Sequence, residues 1–133
     1  IKPGEIRPTI LLIEYTQEVV MMLVNYLEMA GFNMVTAQDG IDGLSQAKIA
    51  HPDLILMDIQ MPRMDGFETT QKLRSDPEFR ETPIIALTAL AMPNDRKHCL
   101  DVGMNEYLSK PVNLKALSKT IKAFLYESED KQS

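Results

Sequence analysis

Apolar positions recur along this chain in two alternating rhythms. Thr9 to Glu14 (TILLIE) is a short unbroken apolar run with β-branched residues that stops at a carboxylate, the pattern of a strand buried on both faces. Val20, Leu23, Val24 and Leu27 then return at helical spacing, and Gly31 supplies a stop. Asn33 to Ala37 predicts a second, less hydrophobic strand; Ile41, Leu44 and Ala47 mark one face of a second helix, and Pro52 closes its exit. Asp53 to Asp58 (DLILMD) is the strongest central strand in the sequence. After Pro62 and Gly66, the positions Phe67, Thr70 and Leu73 predict a third helix, and Pro83 to Leu87 a fourth strand. A helix from Asp95 to Val102 ends at Gly103, Glu106 to Ser109 forms a short fifth strand, and Leu114, Leu117, Ile121 and Phe124 make the stripe of a final helix.

Strands that alternate with helices at this pitch form βαβ units, so the fold class is α/β: a five-stranded parallel sheet with helices on both faces. The 133 residues make one domain, expected over residues 9–126, with a linker over 1–8 and a polar tail over 127–133. The start at Ile1, with Lys2, Pro3, Gly4 and Pro8 close behind, reads as linker from a larger protein.

Composition narrows the function. The net charge of −5 argues against a domain built to grip nucleic acid or an anionic membrane. The single cysteine, Cys99, has no internal disulfide partner and reads as a small buried apolar side chain, which fits a reducing, cytoplasmic setting. The longest apolar runs, such as Leu54 to Met57 and Ile84 to Leu87, fall far short of the roughly 20 residues that span a bilayer, and no secretory or transit segment is visible.

In open α/β sheets ligands bind beyond the carboxyl ends of the strands, where strand order reverses. Those ends carry Glu14, Asp58, Thr88 and Lys110. Each has a bland reading alone, as a turn cap, a strand hydroxyl or a solvated charge; together at one sheet edge they are an unusual set. A strand-end carboxylate such as Asp58 suits nucleophilic attack on a phosphoryl group, giving an acyl phosphate. The crowding of oxygens calls for positive charge, from a hard divalent ion such as Mg²⁺ held by Asp58, Glu14 and the Gln60 carbonyl, and from Lys110, while Thr88 donates a hydrogen bond. His51 and His98 have no ligand-like spacing and receive no catalytic role, and the nine methionines read as core filler.

At this point the sequence resembles the receiver domains of bacterial response regulators from about Thr9 to Leu125, through DLILMDIQMPRMDGFE (53–68), PIIALTALA and YLSKP. The resemblance implies a flavodoxin-like sheet of order 2-1-3-4-5, with Asp58 as phosphoacceptor, Thr88 and Tyr107 as a switch pair and Lys110 contacting phosphate. It also implies a cis peptide between Lys110 and Pro111. The implied partners are a histidine kinase or histidine phosphotransfer protein and a downstream output domain or protein. The stretch CLDVGMNEYLSKPV is more like receivers of hybrid sensor kinases than stand-alone chemotaxis types. Such a domain catalyses its own phosphorylation yet acts as a signalling component rather than a metabolic enzyme.

Two positions depart from the family pattern. Receivers usually place two consecutive acids after the first strand; here Glu14 is followed by Tyr15. Glu14, Asp58 and Lys110 sum to −1, where three carboxylates and a lysine sum to −2, so Mg²⁺ affinity is expected to be weakened unless Gln17 or Glu18 substitutes. The second departure is Leu90, which with Gln60 occupies a position where phosphate lifetime varies within the family. Tyr15 motivates a rival reading, a degenerate receiver that binds partners without phosphorylation. An aspartyl-phosphate hydrolase fits less well, for want of a cap domain and a DxD pattern, and a flavin-binding domain less still, for want of a Gly/Ser/Thr-rich loop after Glu14.

Overall fold

The computed structural model describes residues 7–89 and 93–127; most of the expected linker, the tail beyond Glu127 and the Leu90–Met92 segment lie outside them. The chain runs β1 (Thr9–Ile13), α1 (Gln17–Met29), β2 (Asn33–Ala37), α2 (Gly40–Ala50), β3 (Leu54–Asp58), α3 (Gly66–Arg74), a 3₁₀ turn (Pro77–Phe79), β4 (Ile84–Thr88), α4 (Pro93–Asp101), β5 (Glu106–Ser109) and α5 (Leu114–Lys122), with a π-helical turn over Ala123–Glu127. The five strands are all parallel, in the order β2-β1-β3-β4-β5. This is the expected flavodoxin-like sheet.

Alternation along the central strands explains why their sequences are apolar throughout. Leu11, Ile13, Ile55, Met57 and Ala86 face a core shared with Ala47 of α2, Leu73 of α3 and Cys99 of α4. Their neighbours Ile10, Leu12, Leu54, Leu56, Ile85 and Leu87 face the opposite core, with Leu23 and Leu27 of α1 and Leu117 and Ile121 of α5. Since successive side chains point to opposite faces, a strand covered on both sides needs no polar position. The edge strands β2 and β5 are only partly buried, which is why Asn33–Ala37 reads as the weaker strand.

Strand and helix limits shift from the sequence reading by a residue or two. Asp53 precedes β3 and instead accepts the Thr9 N–H through its carboxylate at 2.7 Å. β4 extends to Thr88, α4 starts at Pro93 and ends at Asp101, and Phe124 lies in the π-helical turn rather than in α5 proper. Gly31 closes α1 with φ of 101°. The expected face of α2 holds at Ala47, which is buried, and at Leu44, which is half-buried and packed against the core, but not at Ile41, which is exposed; Gly40 and Gly43 are buried in its stead. The closest approach is made where side chains are missing. A Cβ on Gly43 would come within 2.6 Å of the Ile13 side chain, and one on Gly40 within 2.1 Å of Thr69 Oγ1 and 2.8 Å of the Met64 carbonyl oxygen. The helix therefore lies against β1 and α3 by its glycines, and the bulkier Ile41 turns outward.

Candidate functional site

Strand order reverses between β1 and β3, and the register there pairs Ile13 with Met57. The next residues on the two strands are Glu14 and Asp58, so the topology alone sets two carboxylates side by side. Both are buried, Glu14 fully and Asp58 at 4% exposure. On the other side of β3, Asp58 pairs with Leu87, and Thr88 follows at the buried end of β4. The backbone N–H of Lys110 donates to the Thr88 carbonyl at 2.7 Å, which holds the chain after β5 against β4 and leaves Lys110 at the same edge. Glu14, Asp58, Thr88 and Lys110 thus gather as expected, and the Lys110–Pro111 peptide is cis.

The Lys110 ammonium stands 2.9 Å from Glu14 Oε1 and 3.5 Å from Asp58 Oδ1. The nearer approach is an ion pair; Glu14 Oε1 is buried and accepts no hydrogen bond among the described residues. Glu14 Oε2 accepts from the Thr16 N–H at 3.1 Å, and Asp58 Oδ1 from the Gln60 N–H at 3.2 Å. Burial is the largest influence on Asp58, followed by the negative charge of Glu14, to which a protonated Asp58 can donate; Lys110 and the Gln60 N–H oppose them, and the carboxyl is pushed up to about 6.

This donor set suits a hard divalent cation: two buried carboxylates, one of whose oxygens accepts no hydrogen bond, and a main-chain loop at Gln60. It is a lean set. No cluster of three or more metal-ligating side chains exists among the described residues. Tyr15, in the place of the second acid, is 56% exposed, and Glu18 is exposed at the start of α1. Gln17 lines a cavity of about 210 Å³ together with Glu14, Thr36, Gln38 and Asp42.

Tyr107 pairs with Ala86 across β4 and β5, and Thr88 with Ser109, so the tyrosine and threonine lie on one face of the sheet two positions apart. The Tyr107 hydroxyl is buried without a hydrogen-bond partner among the described residues. Burial, then the charge of Asp95 on α4, raises its pKa. Cys99 is buried, and its thiol is pushed up to about 11, first by burial and then by Asp95. The two histidines stand away from this edge: His51 meets Glu78, and the His98 ring stacks on Phe67 at 4.0 Å between centroids. Leu90 lies outside the described residues.

Two pairs escaped the sequence reading. Arg63 in the β3–α3 loop forks onto Asp39, and Arg74 at the end of α3 donates to carbonyls around the opposite sheet edge. Asp39 and Asp65 did carry a local signal, each preceding a glycine at a helix start. Their carboxylates cap α2 and α3 by accepting from Asp42 N and Glu68 N.

A doubly wound sheet with paired acids, a hydroxyl and a lysine at its switch point defines a signalling receiver. The chain matches the response regulator receiver domain family over residues 10–122 and belongs to it. It is 35% identical to the polar-differentiation response regulator DivK of Brucella ovis over 117 residues, 88% of this chain and 95% of that one. Among solved structures it resembles the chemotaxis protein CheY4 of Vibrio cholerae, with a TM-score of 0.86 and 32% identity over 90% of this chain and all of that one. It also resembles the receiver domain of sensor histidine kinase PA1611 from Pseudomonas aeruginosa, with a TM-score of 0.83 and 34% identity over 90% of this chain and 98% of that one. That receiver was solved with a magnesium ion coordinated in the active-site cleft. Receivers of both settings match at similar identity, so likeness alone does not assign the hybrid-kinase setting.

Proposed function

We propose that this receiver domain accepts a phosphoryl group on Asp58 from a phosphohistidine of a histidine kinase or histidine phosphotransfer protein, in a cytoplasmic two-component or phosphorelay system. The observation that carries the reading is a nearly buried strand-end carboxylate, Asp58, with a second buried carboxylate and one ammonium against it. A carboxylate oxygen of Asp58 forms a bond to phosphorus while the phosphorus–nitrogen bond of the donor breaks, and the electron pair remains on the imidazole nitrogen. The nucleophile must be ionised, and a carboxyl titrating near 6 is mostly so at neutral pH.

Lys110 lies within reach of oxygens added at Asp58 and offsets their charge, and the Thr88 hydroxyl is the donor on the β4 side. Glu14, Asp58 and the Gln60 carbonyl would hold Mg²⁺, which supplies positive charge against the developing phosphoryl oxygens. Thr88 and Tyr107, on one sheet face, form the switch through which the modified site alters the surface over α4 and β5 that an output domain or protein reads.

The test is incubation with a small-molecule phosphodonor and Mg²⁺. Wild type takes up one hydroxylamine-labile phosphate and Asp58→Asn none. A wild-type protein that stays unmodified under forcing conditions overturns the reading in favour of a receiver that works without phosphorylation.

A further inference from the structure

The β3–α3 loop carries Gln60, whose N–H touches Asp58, and this loop is tied down at a distance from the chemistry. Asp39, at 4% exposure, is the residue before α2. One of its carboxylate oxygens caps that helix by accepting from Asp42 N at 2.9 Å. The other accepts a fork from Arg63, with Nε at 2.9 Å and Nη2 at 2.6 Å. The two elements are 24 residues apart in sequence. The Asp42 N–H and then the Arg63 guanidinium hold the Asp39 carboxyl below the ordinary carboxylate range, so Asp39 is ionised at neutral pH.

Three further features make the loop a single stiff piece. Arg63 itself has φ of 68°, a left-handed conformation that a non-glycine residue adopts only when its surroundings hold it there. Met64 N donates to Pro62 O at 2.7 Å, and Gly66 N reaches back to Ile59 O at 2.8 Å. The absence of a side chain at Gly40 lets the Met64 carbonyl settle onto the start of α2, where a Cβ would stand 2.8 Å from that oxygen. Residues 59–66 are therefore closed on themselves and clamped to α2 on two sides, with Gln60 inside the closed stretch.

We propose that Arg63 and Asp39 are positioning residues: their ion pair fixes the β3–α3 loop so that the Gln60 backbone is held against Asp58. Neither contacts the reacting atoms. The inference rests on the receiver reading for its effect on phosphorylation, but its effect on the loop does not. A planar guanidinium gripping one oxygen through two N–H groups sets direction as well as distance, which a lysine ammonium does not.

The test compares wild type with Arg63→Met, Arg63→Lys and Asp39→Asn, the last chosen because asparagine keeps the helix cap while losing the charge. Amide hydrogen exchange is read at Gln60, Met64 and Gly66 and, as a control for global stability, at Leu56 in β3. Phosphorylation by a small-molecule donor is followed at saturating Mg²⁺. In Arg63→Met and Asp39→Asn the loop amides are expected to exchange at least about fivefold faster with Leu56 unchanged, and the phosphorylation rate to fall about three- to tenfold with donor KM little altered. Arg63→Lys should fall between, and the double variant should be no worse than either single one. Loop amides that stay as protected as in wild type, or that speed up only in step with Leu56, overturn the proposal. So does a phosphorylation rate of the variants equal to that of wild type, when wild type takes up phosphate. If wild type takes no phosphate, the receiver reading fails instead, and the loop amides alone decide the pair.

Discussion

Lys110 lies closer to Glu14 than to Asp58, 2.9 Å against 3.5 Å, so the single ammonium at the sheet edge neutralises the deeper carboxylate first. Asp58 is left with the smaller share of that charge, which is consistent with its carboxyl titrating near 6 despite a lysine beside it. Glu14 and Lys110 act as a couple, and Asp58 is the group whose ionisation the site resists.

Lys110→Met removes the only cation within 4 Å of either acid among the described residues. Two buried carboxyls then face each other without compensation, and the expected loss is about 1 to 3 kcal/mol at pH 7.5, most of it recovered near pH 5, where a proton replaces the ammonium. Urea unfolding at the two pH values measures it. An equal loss at both would show that Lys110 contributes through packing.

Asp58→Asn should stabilise the fold at neutral pH. The folded-state pKa of about 6 lies above the ordinary 3.8, so the native state binds more protons than the unfolded state between those values, and wild-type stability falls as pH rises from about 4 to 6. Replacing the carboxylate with a neutral amide removes that penalty, worth on the order of 1 to 3 kcal/mol above pH 7 and close to nothing at pH 4. Thermal unfolding of both proteins across this range gives the comparison; a gain that persists undiminished at pH 4 would contradict it.

Tyr15→Asp should tighten Mg²⁺ binding. Tyr15 is 56% exposed, so the ring gives up little packing, and the new carboxylate restores the acid beside Glu14. One added charge-assisted ligand is worth about 1 to 3 kcal/mol, or one to two decades in affinity. Titration with Mg²⁺ separates the cases: equal affinity would mean that Gln17 or Glu18 already supplies the oxygen.

Arg74→Ala should weaken the whole fold without altering the chemistry. Its guanidinium donates to the carbonyls of Gly103 (2.9 Å), Phe79 (2.7 Å) and Thr82 (2.7 Å) and to Asn105 Oδ1 (2.7 Å), tying α3 to the segments that enter β4 and β5. Asn105 Oδ1 also accepts the Ile84 N–H, so the loss propagates to the start of β4. Roughly 2 to 4 kcal/mol is expected in denaturant unfolding, with Arg74→Lys recovering less than half because an ammonium does not span the same acceptors.

The strands were legible because the sheet is covered on both faces: Leu54–Asp58 and Ile84–Thr88 admit no polar residue before their last position, so runs of apolar residues that end at a polar one mark both the strand and the place to look for chemistry. Glu14, Asp58 and Thr88 were found by that rule, and Lys110 by its place at the carboxyl end of the fifth strand. The inner face of α2 was legible only at Leu44 and Ala47: periodicity weighs large apolar residues and so counted Ile41, whereas the helix makes its closest contacts through Gly40 and Gly43 and leaves Ile41 exposed. The pairing of Arg63 with Asp39 was invisible for another reason: Asp39 signals only a helix cap, and the contact depends on how two loops meet across the sheet edge, which neither segment encodes.

The buried Tyr107 hydroxyl gives β5 an unusual energetic position. A phenol shut away from water, with no hydrogen-bond partner among the described residues, forfeits about 1 to 3 kcal/mol that hydration would return, while its half-buried ring gains by packing against the core that holds Ala86 and Cys99. The burial of the hydroxyl offsets part of what the ring gains, so its sheltered place is held less firmly than an apolar side chain's would be. In the switch proposed above, a displacement of Thr88, its neighbour on the same sheet face, would act on a ring whose shelter is already offset by that buried hydroxyl.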